Sequence, residues 1–133
     1  MNMIPKMGTK VVSKAAAAAA KLERADALRR FKAGVFQVLG HPTRIHIVEI
    51  LRKGEVSVGA LLEEIGVEPA NLSQHLTVLR SKGLVVNRKN GNQVLYALRD
   101  PMLVGVLDTM KRYFQADLQA AMSIMRVMEQ ERK

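Results

Sequence analysis

Gly66-Val67-Glu68-Pro69-Ala70-Asn71-Leu72-Ser73-Gln74-His75-Leu76-Thr77-Val78-Leu79-Arg80-Ser81-Lys82-Gly83-Leu84 contains a helix bracketed by its own start and stop signals. Pro69 suits the first turn, where its missing N–H has no intrahelical partner to lose. Leu72, Leu76 and Leu79 follow at spacings of four and three and share one face. Ala70, Asn71, Ser73, Gln74 and Thr77 face away from that stripe. These are small or hydrogen-bonding side chains, suited to close approach to base edges. Gly83 ends the helix.

The flanking sequence enlarges this into a larger unit. Ser57 can cap a short helix, Val58 to Ile65, that Gly66 terminates. Two short helices joined by a turn of about four residues containing Gly make a helix-turn-helix. After Gly83, Leu84 to Lys89 and Gln93 to Leu98 read as strands around Asn90-Gly91-Asn92, a strong hairpin signal. The resulting order is helix-turn-helix over 57–83 and a basic-tipped wing over 84–98. The fold class expected is therefore mainly α with a small β-hairpin wing, a winged helix-turn-helix. Glu55-Val56 is expected to add a very short strand to the wing.

Bulk composition agrees with one globular domain. The chain has 133 residues, 48% of them hydrophobic and 25% charged, enough for a single core. Its formal charge of +9 favours a polyanionic partner. Residues 1–33 carry eight basic and two acidic residues, so most of that charge is N-terminal. Without cysteine, disulfides, thiolate metal sites and thiol switches are excluded. No apolar run approaches the roughly 20 residues of a membrane span, so a cytoplasmic location is expected. No Cys nucleophile, phosphate-binding Gly loop or carboxylate–His constellation points to an enzyme.

Residues 1–12 lack a period and read as a flexible basic arm. Residues 13–133 read as one domain. A helix is expected from about Ser13 to Leu39, with an apolar stripe of Leu28, Phe31, Val35 and Leu39. Another is expected from Pro42 to Lys53, burying Ile45, Val48 and Leu51. Residues 101–131 read as a helix some 45 Å long, striped by Leu103, Leu107, Met110, Phe114, Leu118, Ala121, Met125 and Met128. So long a stripe exceeds what a small winged helix can cover. A two-fold homodimer pairing the first and last helices is the simplest remedy.

The motifs together resemble the ArsR-type (arsenic-repressor-like) winged-helix regulators. The matching residues are Val38 to Ile45, Gly54 to Leu61, Asn71 to Val85 and Val94 to Leu98, and the resemblance covers about residues 31–100. It implies a homodimeric bacterial-type repressor that leaves its operator on a signal. The departures are specific. Where many relatives carry metal-binding cysteines, Ser57 and Gly59 stand here. Where others bind zinc through Asp-x-His and two further histidines in the last helix, Asp100 remains but Met102, Tyr113 and Ala116 replace the histidines. Zinc takes N, S or carboxylate ligands, so neither metal site is expected, and no cofactor. Glu68, where relatives often have Ser, is a poor cap and weakens any phosphate contact at that helix end.

The residues expected to touch double-stranded DNA are Ala70, Asn71, Ser73, Gln74, His75 and Thr77 in the groove. Arg80, Lys82, Arg88, Lys89 and Gln93 are expected on phosphates or in the minor groove. Alternative readings stand beside these. His75 can as well buttress its helix, and His41, His46 and His75 lack any paired metal-ligand spacing. Five of the eight methionines (Met102, Met110, Met122, Met125 and Met128) lie in the last helix, as interface packing or as an oxidation sensor. An effector-free architectural DNA binder and a winged helix used for protein contact are the competing functions. The sequence does not name an effector.

Overall fold

The computed structural model describes residues 6–132, and the side chains of residues 13–132. Two compact units divide the chain at Gly40. The first contains α1 (Lys6–Leu39), a 34-residue helix. The second contains α2 (Pro42–Ile50), a 3₁₀ turn (Leu51–Lys53), β1 (Val56–Ser57), α3 (Val58–Ile65), α4 (Pro69–Ser81), β2 (Val85–Asn90), β3 (Gln93–Leu98) and α5 (Met102–Arg132). This is a winged helix-turn-helix, mainly α with a three-stranded antiparallel sheet in the order β1-β3-β2.

The core of the second unit is small and wholly apolar. Ile47, Val48, Leu51, Leu61, Leu72, Leu76, Leu79 and Val85 are buried almost completely, and no polar side chain is buried among the described residues. α4 supplies its leucine face as the 4–3 spacing dictates. α3 begins at a cap, the Ser57 hydroxyl accepting from the Ala60 amide at 3.1 Å, and stops at Gly66 in the left-handed region, φ 74°. The turn to α4 is thus three residues long.

The corner between α4 and the wing is a full Schellman motif. The Leu84 amide donates to the Leu79 carbonyl at 3.0 Å and the Gly83 amide to Arg80 at 2.9 Å. Gly83 takes φ 73°, a left-handed conformation that side chains rarely adopt, so the corner favours glycine. The wing turn places Asn90 opposite Gln93, leaving Gly91-Asn92 as a two-residue loop with Gly91 at φ 63°. A positive φ at the first loop residue alone is the pattern of a type II′ turn, whose twist suits the hairpin.

Several expectations shift. The first helix starts at Lys6 rather than near Ser13, so of the residues read as an aperiodic arm only 1–5 lie outside the described ones. Ala15–Ala20 forms strong helix, and extending it backward costs less than nucleating anew. Its apolar stripe is uneven: Leu39 is buried and Val35 half-buried, but Leu28 and Phe31 are exposed. In α2, Ile47 joins Val48 and Leu51 in the core while Ile45 is only half-buried. The short strand falls on Val56–Ser57, one residue later than expected, pairing Val56 with Tyr96.

α5 runs as expected but buries nothing completely. Leu103, Val104, Leu107 and Asp108 are half-buried, and every described residue from Thr109 onward is exposed. Asp100 caps its start, accepting from the Met102 amide at 2.9 Å. An Arg52–Asp108 ion pair ties the 3₁₀ turn to the second turn of α5.

Candidate nucleic-acid interface

α4 presents one side to the core and the other to solvent. At 3.6 residues per turn, Ala70, Gln74, Thr77 and Ser81 form the line opposite Leu72, Leu76 and Leu79, and all four are exposed. Asn71 and Ser73 flank this line and are also exposed. The Thr77 hydroxyl donates to the Ser73 carbonyl at 2.8 Å, so toward a base it offers a lone pair and a methyl group. Gln74 and Asn71 make no side-chain hydrogen bond among the described residues, leaving both amides open for bidentate pairing. Ser81 was not foreseen as part of this line. The spacing Ala70-Gln74-Thr77-Ser81 would have found it, but Ser81 bonds back to the Val78 carbonyl at 2.7 Å.

His75 is placed otherwise. Its side chain is half-buried against α2, where Nδ1 accepts from the Arg44 Nε at 3.2 Å and its ring lies 4.4 Å from that of His41. His41 in turn caps α2, its Nδ1 accepting from the Thr43 amide at 3.1 Å. Desolvation holds the His75 pKa below its ordinary value, with the His41 and Arg44 charges adding to the effect. His75 therefore buttresses the outward-facing helix against α2. Nothing in the spacing of Arg44 and His75 signals a pair 31 positions apart.

The basic groups divide into two kinds. Arg80 and Lys82 at the end of α4 and Lys89 near the wing tip are exposed and hold no ion pair among the described residues, and the neutral amide of Gln93 across the turn is exposed beside them. Arg88 differs. Glu55 accepts from its Nε at 2.7 Å and its Nη2 at 3.0 Å, a bidentate pair that holds the Glu55 carboxyl below the usual carboxylate range. Glu55 was missed as a site residue. It precedes β1, whose pairing with β3 carries it beside the wing, a placement set by the sheet rather than by local sequence. Arg99 adds a further exposed cation at the α4–wing corner.

An exposed line of small and amide side chains on a rigid helix, with cations at its end and on the adjoining hairpin, defines a winged helix-turn-helix DNA-binding protein. Comparison with known proteins gives the same class. Residues 41–86 match the model of the arsR family of bacterial regulatory proteins. The chain is 42% identical over 83 residues to the uncharacterized HTH-type transcriptional regulator Rv0081 of Mycobacterium tuberculosis, covering 62% of this chain and 73% of that one. The crystal structure of Rv0081 superposes with a TM-score of 0.64 at 39% identity over 69% of this chain and 93% of that one. The biofilm growth-associated repressor of Xylella fastidiosa is 37% identical over 84 residues, 63% of this chain and 74% of the relative. The solution structure of the homodimeric winged helix-turn-helix DNA-binding domain of Mb0332 from Mycobacterium bovis superposes with a TM-score of 0.65 at 26% identity, over 71% of this chain and 88% of that one.

The chain belongs to the arsR family of bacterial regulatory proteins, and it is a DNA-binding transcriptional regulator. Among the described residues no group of three or more His, Asp or Glu side chains could hold a metal ion. Among them, too, no helix is long and apolar enough to cross a membrane.

Proposed function

We propose that the protein is a homodimeric, cytoplasmic repressor without catalytic activity that binds an imperfect palindromic operator. The outward line Ala70-Gln74-Thr77, on a helix seated on the core by its leucine face and closed at its C-terminal end by the Schellman corner, carries this reading. Two such helices related by a two-fold axis read half-sites one helical turn, about 34 Å, apart. Gln74 and Asn71 pair with adenine edges and Ala70 meets a thymine methyl. Ser73 and Thr77 add contacts along the groove, while Arg80, Lys82, Lys89 and Gln93 take phosphates. Arg88 reaches DNA only by leaving or sharing Glu55. The apolar residues exposed along α5, from Met110 to Met128, support a helical dimer interface, as do the homodimeric state of the Mb0332 domain and the repressor role of the Xylella protein.

The signal is proposed not to be a metal at the family's usual positions. Ser57 caps α3 and Asp100 caps α5, so each has a structural duty where a ligand would otherwise sit. Selection of bound genomic fragments followed by footprinting tests the reading. A single palindromic protected site is the expected result, and even protection of any duplex would favour an architectural binder. Micromolar zinc and arsenite should leave the complex intact in a mobility-shift assay; release by either would reveal a metal site elsewhere.

A further inference from the structure

α1 carries a charge pattern that neither the reading helix nor the wing uses. Lys14, Lys21, Arg24 and Lys32 are all exposed, and none has an ion-pair partner among the described residues. At 3.6 residues per turn they fall within about 80° of the helix circumference. Glu23 and Asp26 lie on the far side, where Asp26 is occupied by Arg30 at 2.9 Å. In the sequence Lys6 and Lys10 continue the four-residue spacing back from Lys14. The stripe spans about 27 Å along the axis from Lys14 to Lys32.

We infer that this stripe is a second, sequence-independent DNA contact, lying along the phosphates of duplex flanking the operator. The inference rests on the DNA-binding reading above and extends it to α1. Twenty-seven ångströms matches about eight base pairs at 3.4 Å each, a rod of cations against a rod of phosphates. Four unpaired cations on one face with the acids behind them form a surface complementary to a polyanion. An anionic membrane is a poorer match, because an interfacial helix needs a broad apolar face opposite its cations. Within 14–32 the large apolar residues are Leu22, Leu28 and Phe31, all exposed, and Leu28 and Phe31 lie on the cations' own side rather than opposite them, so no broad apolar face backs the stripe. Small alanine side chains let the backbone of such a helix approach DNA closely while keeping it helical.

The test compares two double variants of the full chain that each remove two positive charges. K21Q/R24Q breaks the stripe, and R29Q/R30Q removes charge outside it, from the helix flank and from the far side that holds Asp26. Glutamine keeps helix propensity near that of lysine and arginine, and circular dichroism checks that both variants stay helical. Affinity for the selected operator is measured against salt by fluorescence anisotropy, on a bare operator duplex and on one extended by about ten base pairs at each end. On the extended duplex the K21Q/R24Q slope of log K against log salt should fall by about 1.8 per protomer relative to wild type. R29Q/R30Q should change it little, and on the bare duplex the three proteins should converge. Equal slopes for wild type and K21Q/R24Q on the extended duplex would overturn the inference. So would equal losses for both variants, which would make charge alone the cause. If wild type binds no duplex at all, the DNA-binding reading fails first.

Discussion

Gln74 is the residue on which reading specificity most directly rests. It sits at the centre of the exposed line on α4 with no competing side-chain bond, so both ends of its amide are available to one base. Gln74→Ala is expected to cost about 1–3 kcal/mol on the selected operator and almost nothing on random duplex. An unchanged affinity for the selected site, measured by titration, would mean that a different face enters the groove. One helical position on, His75 has the opposite character. Its neutral ring accepts a hydrogen bond from Arg44 beside His41, and its pKa is lowered from the ordinary 6.5. As pH falls below that value the unfolded chain takes up the proton before the folded one. The unfolded state then binds more protons, and stability is lost on acidification. Melting temperature should drop between pH 7.5 and 5.5, and His75→Gln should flatten that drop; an equally steep profile in the variant would assign it to other groups.

The wing and helix-turn-helix act as elements whose ends were legible and whose cross-links were not. The leucine spacing, Ser57, Gly66, Gly83 and Asn90-Gly91 announced α3, α4 and the hairpin because caps, stops and turns are local physics. Arg44–His75, Glu55–Arg88 and Arg52–Asp108 were invisible for the opposite reason. Each joins residues brought together only after the sheet and helices have packed, and none carries a spacing that a periodicity could reveal. The N-terminal limit of α1 was missed because Met7-Gly8-Thr9 looks like arm when judged by composition, whereas helix propagates outward from the alanine run. The Glu55–Arg88 pair makes a prediction at this scale. Glu55 neutralises Arg88, one of the two cations on the wing. Glu55→Gln should steepen the salt dependence of DNA binding by up to about 0.9 per protomer. The gain should vanish in the Glu55→Gln/Arg88→Gln double variant. A gain that survives in the double variant would trace instead to reduced repulsion of the duplex.

The molecule as a whole divides its apolar surface unequally. The winged unit closes its small core completely, while α5 leaves Phe114, Leu118, Met122, Ile124, Met125, Val127 and Met128 exposed. A lone helix of this kind is marginal in water, since packing of its apolar face supplies most helical stability. Helicity and melting temperature should therefore climb with protein concentration in the micromolar range, because association stabilises the folded form by mass action. Concentration-independent melting, with sedimentation at monomer mass, would contradict the two-fold arrangement. The uncovered face of α5 also has a bearing on gene dosage. Where copies must pair before they can grip a promoter, occupancy at scarce supply follows the square of the monomer level. Halving expression would then cut repression about fourfold, giving the cell a steep threshold with no inducer at all.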